Sequence, residues 1–306
     1  MKKKKIGYTP FMIPYLFILI VFILLPMLFI VIYSLVDKTA ELPIYSFTFA
    51  NYKHFFETGL YFKCILKSLY LALLATIICV IICYPIAYFI AKRKPQTQAI
   101  LVLLVTAPMW INMLLRTLAI KQLLDGPLLK LVKLFNPNVN VIIGNDFSVI
   151  FGMVYNYIPY MILPIYTSLE KLDPRLIEAS TDLGAKNYQT LRRVILPLSL
   201  PGVLSGVTIT FLSCATTITI TKYLGEGRYF LIGNLIETEF ITNSRWSFGS
   251  AISLIMLIII LAIMLLMSKL NKEEEYENQG QGPHRGGRAE HQQFHLHDPA
   301  GQRLRH

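Results

Sequence analysis

The chain has 306 residues, of which 54% are hydrophobic and only 15% charged. Soluble domains usually carry about a quarter charged residues, and here the apolar residues fall in long uncharged runs rather than at amphipathic spacing. The net charge of +11 is spread along the chain without a compact basic face interleaved with aromatics, which excludes a nucleic-acid binder.

The runs are residues 6–36, 68–91, 98–115, 147–169, 198–221 and 246–268. A helix needs roughly 20 apolar residues to cross the hydrocarbon core. In lipid every backbone N–H and C=O must be paired within the segment, so such runs are helices. The expectation is therefore an all-α, polytopic membrane protein with six transmembrane helices at about 10–36, 68–91, 98–120, 147–169, 198–221 and 246–268. The first run follows Lys2–Lys5 but is longer than a signal-peptide core and lacks a small-residue cleavage site, so it reads as a retained span. The third run is the shortest. Extending it past Arg116 puts that arginine near the outer interface, where Arg116, Lys121 and Lys222 are expected to snorkel or to pair with acids such as Asp125.

Six spans place both termini on one side. Residues 1–5, 92–97, 170–197 and 269–272 hold 14 Lys/Arg in 43 residues, against 11 in 86 for the opposite loops. The positive-inside rule makes the first set, with both termini, cytoplasmic. The opposite loops carry eight acids, Asp37, Glu41, Glu57, Asp125, Asp146, Glu226, Glu237 and Glu239, which are either solvated or part of a cation entrance. The cysteines do not suggest a disulfide scaffold or a metal site. Cys79 and Cys83 lie one helical turn apart inside a span and read as small apolar residues.

The segment 170–197 is the most informative. Asp173 suits an N-cap and Pro174 the first helical position. Leu176, Ile177 and Leu183 recur at helical spacing, and Gly184 falls where a helix closes in a left-handed residue. Asn187 is expected to cap a second helix bearing Tyr188, Leu191, Val194 and Ile195, with Pro197 stopping it before the fifth span. The remaining cytoplasmic segments are too short to bury this helix pair, so it should rest on the membrane or fill a groove in a partner.

Residues Glu178-Ala179-Ser180, then Gly184, then Val194-Ile195-Leu196-Pro197 follow the spacing EAA, three residues, G, nine residues, I-x-L-P. This resembles the coupling loop of ATP-binding-cassette importer permeases, with Ser180 replacing the second alanine and Val194 the isoleucine. The resemblance implies that Glu178, Ala179, Ser180, Gly184, Leu196 and Pro197 form the contact with a cytosolic ATPase. Further segments, Pro108–Arg116, Tyr160–Asp173, Leu231–Glu237 and Trp246–Gly249, are similar to the first permease subunits of bacterial spermidine/putrescine importers. That likeness covers roughly residues 10–272. It implies polyamine import across a bacterial cytoplasmic membrane. The implied partners are a second homologous permease, two copies of an ATP-binding subunit and an extracytoplasmic substrate-binding protein.

No Gly-rich phosphate loop is present, so ATP and Mg belong to the partner ATPase and this chain carries no cofactor, metal or catalytic residue of its own. A path for flexible ammonium chains needs aromatic faces and acceptors. Trp110, Asn112, Tyr157, Tyr160 and Glu237 are the candidates, and Pro159 and Pro164 could free backbone carbonyls toward a cavity. Tyr and Trp are equally ordinary interface anchors, and proline kinks equally ordinary packing. Related permeases carry other solutes, so phosphate, sulfate or a metal complex remain alternatives. A secondary carrier or channel is disfavoured, because no internal repeat or chain of buried acids is present.

Residues 1–272 form the permease domain in this reading. From Glu273 the composition turns acidic, then rich in Gly, Gln, His and Arg, and holds His284, His291, His295, His297 and His306. Residues 273–306 read as disordered or as a segment foreign to the natural chain.

Overall fold

A computed structural model describes residues 9–37, 46–136, 141–227, 229 and 231–280. The tail histidines lie outside the described residues. The architecture is almost wholly helical, with one short antiparallel pair, β1 (Val36–Asp37) and β2 (Ser46–Phe47), in which Val36 faces Phe47 and Asp37 faces Ser46.

Among the described residues, five helices are long and apolar enough to cross a membrane: α1 (Pro14–Ser34), α3 (Gly59–Ala91), α6 (Asp146–Glu170), α8 (Asn187–Ala215) and α11 (from Trp246). Two further helices, α4 (Pro95–Trp110) and α5 (Met113–Phe135), meet at 92° and together have the length and apolarity of a broken span or a re-entrant loop. Short helices α2 (Ala50–Glu57), α7 (Pro174–Asp182), α9 (Thr219–Leu224) and α10 (Ile232–Glu237) link them.

The segment expected as a span at about 98–120 contains this bend. The last turn of α4, Ala107–Trp110, tightens to 3-10 geometry around Pro108, and Ile111 then takes an extended backbone. Asn112 restarts the chain as N-cap, its Oδ1 accepting from the Leu114 N–H at 2.8 Å. A proline that cannot extend the helix is thus followed two residues later by a side chain that starts another.

Three further boundaries differ from the sequence reading. Pro197 does not end a helix. A π-helical turn at Leu191–Ile195 widens the ladder just before it, and α8 runs unbroken from the loop into the membrane. Conversely, the fifth crossing is interrupted at residues 216–218, between α8 and α9. At the far end, α11 continues to Gly280 through the acidic run, past the boundary expected at 272.

The core is a three-helix contact of α3, α6 and α8. In a membrane, helices gain little from hydrophobicity against one another, so close approach and dispersion decide the packing. Accordingly α3 presents a seam of small buried residues, Ala72, Ala75, Thr76, Cys79, Cys83 and Ala87. On α8, Gly202 lies against Ser168 and the Pro164 carbonyl, and Gly206 lies against Met161. The α1 span is exposed along its length and leans on α11.

Candidate coupling loop and translocation path

The coupling candidates begin at Asp173. Its carboxylate accepts from the Arg175 N–H at 3.0 Å, and Pro174 occupies the first helical turn, as the sequence predicts. Helix α7 ends at Gly184, whose φ of +78° is the left-handed value expected there. The next helix starts one residue earlier than predicted. Lys186 is its N-cap and Asn187 lies inside, while Gln189 Oε1 reaches back to the Lys186 N–H at 2.9 Å.

The apolar residues of α7 divide between two faces. Ile177 packs inward against the core. Leu176 and Leu183 point outward, the latter 89% exposed, with Glu178, Ala179 and Gly184 exposed alongside. Leu196 and Pro197 are exposed at the start of the membrane part of α8. Ser180, half-buried, shares a 3.0 Å hydrogen bond with Thr190 Oγ1. The pair ties α7 to α8 across the Gly184 turn, and since it joins residues in different helices, spacing within either helix gave no sign of it.

The path candidates do not form one cluster. Tyr157 and Tyr160 meet edge to face, with ring centroids 5.8 Å apart; Tyr157 is buried and Tyr160 half-buried. Trp110 and Asn112 sit at the α4–α5 bend and are exposed. Glu237 is engaged by Lys222 at 2.8 Å.

The charges near the span ends depart most from the sequence reading. Arg116 is buried, only 8% exposed, instead of snorkelling to an interface. Its Nη1 donates to the Asn156 carbonyl of α6 at 3.4 Å. Lys121 pairs with Glu226 at 3.6 Å rather than with Asp125. Lys67 bridges to Asp146 at 3.4 Å and covers the Tyr229 ring at 4.2 Å. Burial and the adjoining Asp146 carboxylate push the Tyr229 hydroxyl up to about 12. Glu239 is buried and gripped by Arg245, whose Nη2 and Nε lie 2.8 Å from its two oxygens. That pair closes a turn in which Ser244 holds a φ of +51°. Among the described residues no group of three or more His, Cys, Asp or Glu is placed to hold a metal.

Bent and interrupted helices inside an apolar bundle, joined to an exposed capped helix, describe a polytopic membrane subunit. Residues 83–273 match the family described as binding-protein-dependent transport system inner membrane component. The chain belongs to this family, as a multi-pass inner-membrane component. It is 36% identical over 244 residues to the spermidine/putrescine transport system permease protein PotB of Haemophilus influenzae, covering 77% of this chain and 84% of that one. The PotB of Escherichia coli K12 is 34% identical over 244 residues, covering 78% and 88%. Among solved structures, a bacterial ABC transporter that imports the acidic polysaccharide alginate matches with a TM-score of 0.70 at 14% identity, covering 87% of this chain and 94% of that one. The methionine transporter MetNI matches at 0.54 with 16% identity, covering 69% and 94%. At these identities the structures speak for the fold alone.

Proposed function

We propose that this chain is one half of the membrane pathway of an ATP-driven polyamine importer. Its exposed α7 docks a cytosolic ATPase, and its cargo is spermidine or putrescine, as named for the PotB relatives. Residues 1–272 act as one permease domain with six crossings, the bent α4–α5 pair counting as one, and the Lys/Arg-rich segments face the cytoplasm. The working assembly holds a second homologous permease, two ATPase copies and an extracytoplasmic binding protein. ATP and Mg are used by the ATPase, and this chain needs no cofactor.

The observation that carries the reading is the unbroken helix Asn187–Ala215. It starts in the docking loop and ends in the core beside α6, so a displacement of α7 reaches the core as movement of a rod. Ser180–Thr190 and the Gly184 turn fix the angle between α7 and that rod. Glu178, Ala179, Leu196 and Pro197 supply the exposed contact surface. Each ATPase state then favours a different arrangement of the spans, which directional transport requires.

On the pathway side, Tyr157 and Tyr160 offer aromatic faces to ammonium groups. Trp110 and Asn112 sit at the bend, and Glu237, balanced by Lys222, lies at the other end of the bundle from α7. Reconstitution with the ATPase, second permease and binding protein tests the proposal. Spermidine or putrescine should stimulate ATP hydrolysis and accumulate, whereas phosphate and sulfate should do neither. Stimulation by an anion alone would replace the cargo assignment. Flux that persists without any ATPase would overturn the importer reading itself.

A further inference from the structure

Halfway along α6 the bundle holds a positive charge with no anionic partner among the described residues. Arg116 lies in the first turn of α5, just past the bend, and nine-tenths of it is buried. Among the described residues its guanidinium makes one hydrogen bond, the 3.4 Å contact to the Asn156 carbonyl, and its Nε is buried without an acceptor. Among the described residues no carboxylate lies within ion-pair distance of it. The neighbourhood is polar yet neutral. Asn156 Oδ1 is also buried without a hydrogen-bond partner among the described residues. Tyr157 adjoins Thr217 and Arg116, with Cys214 and Tyr160 close by.

Two discontinuities lie beside Arg116, the α4–α5 bend and the interruption at 216–218 between α8 and α9, and Pro159 lies inside the continuous α6. Irregular backbone inside a membrane is tolerated where it lines a cavity or is buried in protein. An uncompensated cation there is costly, and intramembrane charges of this kind mark ion pathways.

We propose that Arg116 is an electrostatic barrier that stops protons and small inorganic cations from leaking through the permease between transport cycles. The inference rests on the importer reading and on its cationic cargo. A pathway fit for cations is by its nature open to unwanted ones. In a low-dielectric interior a fixed charge acts over many ångströms, so Arg116 need not line the path to raise the energy of a lone cation inside it. Fixed arginines exclude protons from other membrane pores by the same physics. ATP-driven movement supplies free energy that a passive leak lacks, so the barrier slows the leak without halting coupled uptake.

The test is passive proton flux into vesicles containing the full transporter, without nucleotide, read with an entrapped pH-sensitive dye. Arg116→Gln removes the charge. Asn156→Asp keeps the arginine but sets a carboxylate beside it. Both should raise the leak by about tenfold or more, while Arg116→Lys, which keeps the charge but loses the guanidinium geometry, should stay close to the parent. A tight Arg116→Gln transporter overturns the proposal. So does Arg116→Lys leaking as fast as Arg116→Gln, or Asn156→Asp remaining tight, because either outcome makes the role one of packing. ATP-driven uptake by the unmutated complex is measured in the same vesicles. Its absence would strike the importer reading and leave the leak result standing.

Discussion

Glu239 and Arg245 show how unequal the two halves of an ion pair can be. The carboxylate is 3% exposed, whereas half of the arginine side chain faces outward. Removing the arginine strands a buried charge, and breaking a buried pair in that way costs roughly 3 kcal/mol or more. Neutralising the acid strands nothing charged. Arg245→Met should therefore lower the thermal midpoint of the detergent-solubilised protein clearly more than Glu239→Gln, and equal losses would refute the asymmetry. Gly202 offers a steric counterpart. A Cβ there would meet Ser168 Cβ at 2.3 Å and the Pro164 carbonyl at 2.7 Å. Gly202→Val must push α8 away from α6, an overpacking cost of about 1–3 kcal/mol. It should reduce the yield of folded protein, as measured by size-exclusion chromatography. Gly184 differs again, since nothing crowds it and only its φ of +78° matters. Gly184→Ala should cost about 1 kcal/mol.

At the scale of elements, the helix α7 proposed to dock the ATPase packs Ile177 inward and leaves Leu176 and the Leu183 that follows it exposed. Leu183 is almost wholly exposed, so Leu183→Asp removes nothing from the core. It should weaken retention of the ATPase in pull-down while leaving the melting temperature of the isolated permease unchanged; a falling melting temperature would mean that Leu183 packs within the chain. Within α6, the joint Tyr157→Ala, Tyr160→Ala variant should raise the polyamine concentration needed for half-maximal uptake. Unchanged uptake and unchanged substrate-stimulated ATPase activity would sink the aromatic-path idea. The helix starts at Asp173 and the Gly184 stop were legible because caps act locally, through a side chain and backbone groups two or three residues away. The course of α8 through Pro197 was not legible. Proline reads as a stop, and the wide turn that accommodates it depends on the ring's surroundings in the folded bundle.

For the whole molecule, orientation can be read with thiol reagents. All four native cysteines are buried, so background labelling should be low. A cysteine introduced at Arg175 should react with an impermeant maleimide only from the cytoplasmic side, and one at Lys130 only from the opposite side. The reverse pattern would invert the proposed topology.

The amino-acid sequence by itself determined the membrane class, the apolar runs and the spacing of the coupling loop. Each of these rests on local composition or on contacts a few residues apart, and lipid leaves a long apolar segment no choice but helix. Tertiary structure alone decided that the third apolar run bends at residues 111–112, that the fifth breaks at 216–218, and that Ser180 finds Thr190. It alone carried Arg116 from a presumed interface into the middle of the bundle, against Asn156. The reason is that charge and burial are properties of a place. Residue 116 has no place until α5, α6 and α9 pack together, 40 and more residues apart in the chain.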